Sequence, residues 1–441
     1  ERILRGEQAS LAAWWQQFDD PVLTELIERS ARANKTLQQA VARIDEARAL
    51  AGVARGERYP QIDAFAKYDR LRASEETADA GPKSESVDNY AFGLDASWEI
   101  DVFGRIRRSV EAAEAGWQAS VEDYRAVSVS LFAEVASTYI ELRTLEARLA
   151  VARENAIIQA ESLALARARF EAELVSELDV TQAQTLLADT RATIPSLEEA
   201  AAKAVNRLSV LLGEQPGGLT TLLDSRVGVP IAPRHLFIST PGDVIRQRPD
   251  IRRAERALAE QTARVGVATA DLYPRLSIAG SFAFEADSFG NDLFDIDARS
   301  WSVGPRVRVP LFNGNRLRSI VDAEDARARG AVAAYEQSVL NGLEEAENAI
   351  VAVVRERERV AALAMSVGAA ERSTALAEEL YRTGLTGYQR VLDAQRALFG
   401  SQDALIASQG RRAANVVDLY RAFGGGWASA DDVLLSQGDT R

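Results

Sequence analysis

Two stretches of 66 residues, Arg105 to Phe170 and Arg316 to Tyr381, contain no proline and carry apolar residues at helical spacing. At about 1.5 Å per residue, each spells a helix roughly 100 Å long, far more than a compact domain holds. Such helices must pack on others of similar length. They also stand at a fixed offset, 316 − 105 = 211, which Tyr124 and Tyr335, Phe170 and Tyr381, and Gln184 and Gln395 all keep. Tyr59-Pro60 recurs as Tyr273-Pro274 at 273 − 59 = 214. The chain is two copies of one plan: helix, strand, loop, strand, very long helix, tight turn, shorter helix.

The first copy covers residues 1–212 and the second 243–427, with a Gly- and Pro-rich connector at 213–242 and a C-terminal tail at 428–441. Asp20 before Pro21 reads as the N-cap of the first helix, and Thr240-Pro241 repeats the device. Each first helix ends at a Tyr-Pro pair, where the residue before proline is pushed into extended geometry. The long and return helices occupy about 105–212 and 316–422.

Between them lie ribbons of period two. In "YAFGLDASWEI", Tyr90, Phe92, Leu94, Ala96, Trp98 and Ile100 share one face, and Asp95 and Glu99 the other. The strands span about 61–71, 89–100, 275–285 and 300–311. The first is the weakest, because Phe65 sits on the polar side. Ten or eleven residues is what a tilted strand needs to cross hydrocarbon. The linking segments, Arg72 to Asp88 and Ala286 to Ser300, are polar or acidic and read as loops in water. Two soluble hairpins on a helical domain, or a plain coiled-coil rod, are the competing structural readings.

No apolar run reaches the roughly 18 residues of a membrane-spanning helix, so any bilayer contact must use strands. Four strands cannot close a barrel, and an open sheet in lipid leaves its edges unpaired. Copies must then share one barrel; three give 3 × 4 = 12 strands around a lumen. The apolar face of Tyr90 to Ile100 would meet lipid, and Asp95 and Glu99 the bore.

A net charge of −13 argues against nucleic acid, which needs a clustered basic face. A single histidine, His235, and no cysteine remove thiol nucleophiles, cysteine-based zinc sites and the usual imidazole base together. A carboxylate-only enzyme would need a convergent acid pair in a pocket. No signal peptide stands at Glu1, as expected of a mature or trimmed form.

"WWQQFDDPVLTELIERSARAN" (Trp14 to Asn34), "RYPQIDAF" (Arg58 to Phe65), "WEIDVFGRIRR" (Trp98 to Arg108), "RQRPDIRRAERAL" (Arg246 to Leu258), "VPLFNGNRLR" (Val309 to Arg318) and "YRTGLTGYQRVLDAQRALF" (Tyr381 to Phe399) resemble, in order, the signatures of the TolC-like outer-membrane factor family, in its drug and metal efflux branch. The resemblance implies a mainly α protein with a transmembrane β-barrel. Its homotrimer would share a twelve-stranded barrel, four strands per chain, continued by an α-helical periplasmic tunnel with an equatorial belt of termini and connector. It implies the Gram-negative outer membrane, with the helical part in the periplasm, and no active site, cofactor or metal. The implied partners are outer-membrane lipid, a periplasmic adaptor and an inner-membrane pump of the proton-driven resistance-nodulation-division type, for which the channel passively exports small toxic compounds. A protein-secretion exit duct of the same fold and a soluble coiled-coil scaffold are the alternatives. Many members carry an N-terminal lipid on cysteine; here the acylated residue lies upstream of Glu1 or the chain does without it.

The resemblance places the periplasmic gate at Tyr381, Arg382 and Asp393. An arginine fork can hold carboxylates bidentately, and three Asp393 side chains around an axis would repel anions. Glu171, Glu173, Glu177 and Asp179 are the candidate partners of Arg382. Leu174, Val175 and Ser176 in the first turn, with Gly384, Leu385, Thr386 and Gly387 in the second, form the implied adaptor-docking tip. Glu173 stands where the second copy has Gly384, leaving the first turn's geometry open.

Overall fold

The computed structural model describes residues 11–72, 86–219, 223, 228–233 and 247–427. Helices α1 (Pro21–Ala33) and α2 (Lys35–Gly56) lead to strands β1 (Gln61–Leu71) and β2 (Val87–Ile100), then α3 (Arg105–Glu171) and α4 (Glu177–Leu211). The second copy supplies α5 (Pro249–Ala270), β3 (Arg275–Ala286), β4 (Arg299–Arg308), α6 (Arg316–Arg382) and α7 (Tyr388–Ala422). The two long helices have 67 residues each and the two return helices 35 each, so the sequence repeat is a structural one. Thr240-Pro241, His235, most of the connector, most of the Arg72 to Asp88 loop and the tail from 428 lie outside the described residues. None of the described helices is long and apolar enough to cross a membrane.

Backbone contacts divide the chain into two compact units, and both contain matching pieces of the two copies. One comprises Glu1–Ala42, Glu122–Arg252 and Gln337–Arg441. Its main core gathers Trp14, Leu23, Leu26, Ile27, Tyr139, Leu208 and Tyr420 from the 3-10 turn at Trp14–Phe18, α1, the ends of the return helices and the middle of α3. Asp20 organises the entry to α1. One carboxylate oxygen accepts from the amides of Val22 (2.9 Å) and Leu23 (3.1 Å), and the other from the Tyr139 hydroxyl (2.9 Å). In the second copy Arg248, just before α5, donates to the Ala422 carbonyl at the end of α7 and to Asp250 and Glu345.

The other unit, Arg43–Val121 and Arg253–Glu336, holds the sheet. Its four antiparallel strands lie in the order β1-β2-β3-β4. Asp101 turns the end of β2 into α3 by accepting from the amides of Ile106 (3.0 Å) and Arg107 (2.8 Å), which no helical carbonyl can serve. Arg105 clamps the same junction onto Glu99 and Glu57.

Three expectations need correction. The first helix is two helices, broken at Asn34, whose backbone is extended (φ −61°, ψ 128°). Its side chain accepts from the amides of Thr36 and Leu37 and donates to the Leu211 carbonyl, bonds that a continuous helix would forbid. Strand β4 ends at Arg308 rather than 311. Its one neighbour starts pairing at Arg275 opposite Arg308, so Val309 to Leu311 have no ladder, and Pro310 has no amide hydrogen to offer one. The Ala286 to Ser300 segment is not merely a polar loop. It contains two short 3-10 helices, and Phe289 and Phe294 fold back onto Tyr90, Phe92 and Phe284.

Candidate functional site

The ladders put most of the large apolar residues of all four strands on one side, Phe65 excepted. Ala66 is opposite Phe92, Phe92 opposite Phe284, and Phe282 opposite Trp301. Directly opposed residues share a face, so this face runs without a charge from the helix end of the sheet until Arg70, Asp88 and Arg299 at the loop end. Ile62, Leu94, Phe282, Trp301 and Val303 are all exposed there. Aromatic rings cluster at both ends: Tyr68 with Tyr90 near the loops, and Phe103 stacked on Tyr273 (4.9 Å) near the helices. The opposite face is polar and grooved, lined by Asp63, Asp95, Ser97, Ser281, Ser302 and Arg306, with Ser281 and Ser302 sharing a 2.8 Å hydrogen bond. Among the described residues, the outer edges of β1 and β4 have no neighbour.

The tip turns form the second candidate. In the first, the amides of Glu173 and Leu174 donate back to the carbonyls of Phe170 and Arg169, both at 2.9 Å. In the second, Gly384 and Leu385 do the same to Tyr381 (3.0 Å) and Leu380 (2.9 Å). Both close the helix with a left-handed residue, Glu173 at φ 59° and Gly384 at φ 79°, so the missing glycine does not change the turn. Each presents an exposed leucine at its apex, Leu174 (67 %) and Leu385 (76 %). Val175 and Thr386 are half-buried beside them, and Ser176 and Gly387 are exposed at the starts of α4 and α7.

Of the proposed gate residues, Tyr381 and Arg382 line one cavity at the tip with Ser162, Glu378 and Tyr388, and Asp393 is not among its lining residues. Tyr381 is 3 % exposed and packs on Tyr388. Arg382 is exposed and forms no ion pair among the described residues; Glu171, Glu173 and Glu177 are likewise exposed and Asp179 is half-buried. Asp393 accepts from Gln389 (2.9 Å). The residue that does join the two turns is Arg169, absent from the sequence expectations. Its guanidinium lies 4.5 Å from the centre of the Tyr381 ring and donates to the Tyr381 carbonyl at 2.6 Å, at the negative end of α6. Burial raises the Tyr381 phenol above its ordinary value, and Arg169 works against that rise. Burial foremost, then Tyr381, Asp179 and Glu378, push Tyr388 up to about 12.

Arg169, whose partner Tyr381 belongs to α6, lies seven residues past a series that faces α7. Polar partners recur every seven residues along α3 facing α7: Arg148 with Asp403 (2.7 and 3.0 Å), Asn155 with Gln402 (2.9 Å) and Ser162 with Gln395 (2.8 Å). Seven is the coiled-coil period, and these three pairs hydrogen-bond the α3 to α7 seam between Arg148 and Ser162. The stripe at 148, 155, 162 and 169 was visible in sequence, but a charged helix stripe ordinarily faces water.

A family model described as "Outer membrane efflux protein" matches residues 26–214 and 240–425. The toluene efflux pump outer membrane protein TtgI of Pseudomonas putida is 34% identical over 433 residues, spanning 96% of this chain and 90% of that one. The cation efflux system protein CusC of Escherichia coli is 29% identical over 419 residues, 94% of this chain and 88% of that one. Among solved structures, the outer-membrane channel OprN superposes with a TM-score of 0.91 at 37% identity, covering 97% of this chain and 94% of that one.

Proposed function

Because the chain belongs to the outer membrane efflux protein family, we propose that three copies of it share one twelve-stranded barrel, continued by a helical tunnel, and passively export small toxic compounds across the outer membrane. The single observation that carries this reading is the sheet: one long uncharged face, one polar grooved face, and two unpaired edges. Lipid satisfies the first, water the second, and only further copies of the sheet the third. A soluble scaffold is excluded by the family, whose members are outer-membrane proteins.

Cargo would be delivered by an inner-membrane pump of the resistance-nodulation-division type through a periplasmic adaptor. Leu174 and Leu385 are the apolar contacts offered to that adaptor. Arg382, without an ion pair among the described residues, would find its carboxylate on a neighbouring chain at the tip and hold the tunnel narrow, with Asp393 forming an acidic ring behind it. The relatives are named for toluene and for cations, so the shared duct does not select cargo.

The test is the protein mass of the detergent-solubilised particle by light scattering, with bound detergent subtracted. Three times 47.9 kDa is expected. A detergent-free monomer would sink the shared barrel.

A further inference from the structure

The segment joining β3 to β4 folds back over the sheet instead of standing clear of it, and the inference drawn from this rests on the shared-barrel reading above. The Phe294 ring lies 6.2 Å from that of Phe92 and 5.9 Å from that of Phe284, and the Phe289 ring 5.5 Å from that of Tyr90. Leu293, in the same short helix as Phe294, is buried. A loop that used its rings only to pin itself down would bury them. Here Phe289 is 78 %, Phe294 62 % and Ile296 66 % exposed, so the segment turns a new apolar surface outward. That surface continues the uncharged face on which Leu94, Phe282 and Trp301 are exposed.

Depth follows from the ladder. Tyr90 and Ile100 end the apolar row of β2, 100 − 90 = 10 residues apart. At about 3.3 Å per residue and a tilt of about 40° they span about 25 Å, the height of the apolar band of an outer-membrane barrel. Phe92 is two residues inside that band, and Phe294 rests on it. Arg299 stands opposite Phe284 on the same face, and its Nε donates to the Ile296 carbonyl (2.8 Å). An arginine beside hydrocarbon needs such a partner, and the folded segment supplies it.

We propose that the β3 to β4 segment is a membrane anchor, with Phe289, Phe294 and Ile296 inserted among the acyl chains of the outer leaflet rather than standing in water. Asp287, Asp295 and Asp297 lie between these residues, which keeps the segment at the outer rim of the hydrocarbon. The rings seat on β2 and β3, the middle strands, whereas a second copy of the sheet would meet the free edges of β1 and β4. Lipid is therefore the occupant, not a neighbouring chain.

The chain has no cysteine, so one introduced thiol takes one spin label. The full-length Ile296→Cys variant is labelled and reconstituted into phosphatidylcholine vesicles, and its relaxation by oxygen, which partitions into hydrocarbon, is compared with that by a water-soluble nickel chelate. Ile296 makes no ring contact that the label would break. Leu94→Cys and Asp95→Cys, neighbours on opposite faces of β2, supply the lipid and water references. The Ile296 label is expected to match Leu94, with an oxygen-to-nickel accessibility ratio severalfold above that of Asp95. In a Phe294→Ser background the same label is expected to become open to nickel, because the ring that holds the segment down is gone; a label that stays in lipid there overturns the anchoring role of Phe294. An Ile296 label open to nickel beside a lipid-exposed Leu94, or closed to both reagents under a neighbouring chain, overturns the anchor and leaves the barrel standing. Nickel access at Leu94 itself overturns the shared barrel.

Discussion

At the tip turns the chain reverses through Glu173 with φ 59° and through Gly384 with φ 79°. A side chain in this left-handed region costs about 1–2 kcal/mol, which glycine does not incur. Glu173→Gly is therefore expected to slow hydrogen exchange at the Leu174 amide by up to about fivefold, partly offset by the looser unfolded chain, and Gly384→Ala to speed it at Leu385. Unchanged exchange in both variants would mean that neither turn opens locally. Deeper in the same region, Tyr388 is pushed up to about 12 by burial. A raised phenol pKa favours the protonated, folded form, so its contribution is whole below the ordinary tyrosine value near 10 and is lost as the pH rises through about 12. Absorbance at 295 nm is expected to show a late-titrating component that Tyr388→Phe removes.

The long helices raise a different question, namely what holds α3 against α7 along a hydrogen-bonded seam. Gly410 sits close against α3. A methyl group added there would stand 2.1 Å from the Thr144 hydroxyl oxygen and 3.0 Å from its Cβ. In an open helix glycine to alanine gains about 1 kcal/mol. Here overpacking of about 1–3 kcal/mol outweighs it, so Gly410→Ala is expected to lower the unfolding midpoint and Thr144→Ala to restore much of the loss. A stabilised single variant would show that the helices separate without cost. Sequence reading could not find this contact, because Gly410 has no side chain and nothing near it in the chain announces the partner. It also missed Arg169 and the stripe from Arg148 onward, for the opposite reason: charged residues on a helix look alike whether they face water or another helix.

For the assembled molecule, the sharpest test lies at the tip. Arg382→Ser is expected to raise single-channel conductance in planar bilayers severalfold if, as proposed above, its fork pairs between chains and holds the tip narrow; unchanged conductance would end that role for Arg382. Most of the architecture was legible beforehand. Period two in Tyr90 to Ile100, period 3.6 without proline in the 105 and 316 stretches, and the 211 offset are local or translational properties, and these residues obey them wherever they stand in space. The cap at Asp20 was legible for the same reason, since it acts on amides two and three residues away. The break at Asn34 was not, because the carbonyl that completes it belongs to Leu211. The end of β4 at Arg308 depends on where its neighbour stops, and the link between the tip turns on a guanidinium 212 residues from the carbonyl it serves. Sequence alone determined the elements, their duplication and the two-faced sheet, because each follows from spacing along one chain; tertiary structure decided where elements stop and which polar residues find each other, because those contacts join residues that only the fold brings within hydrogen-bond distance.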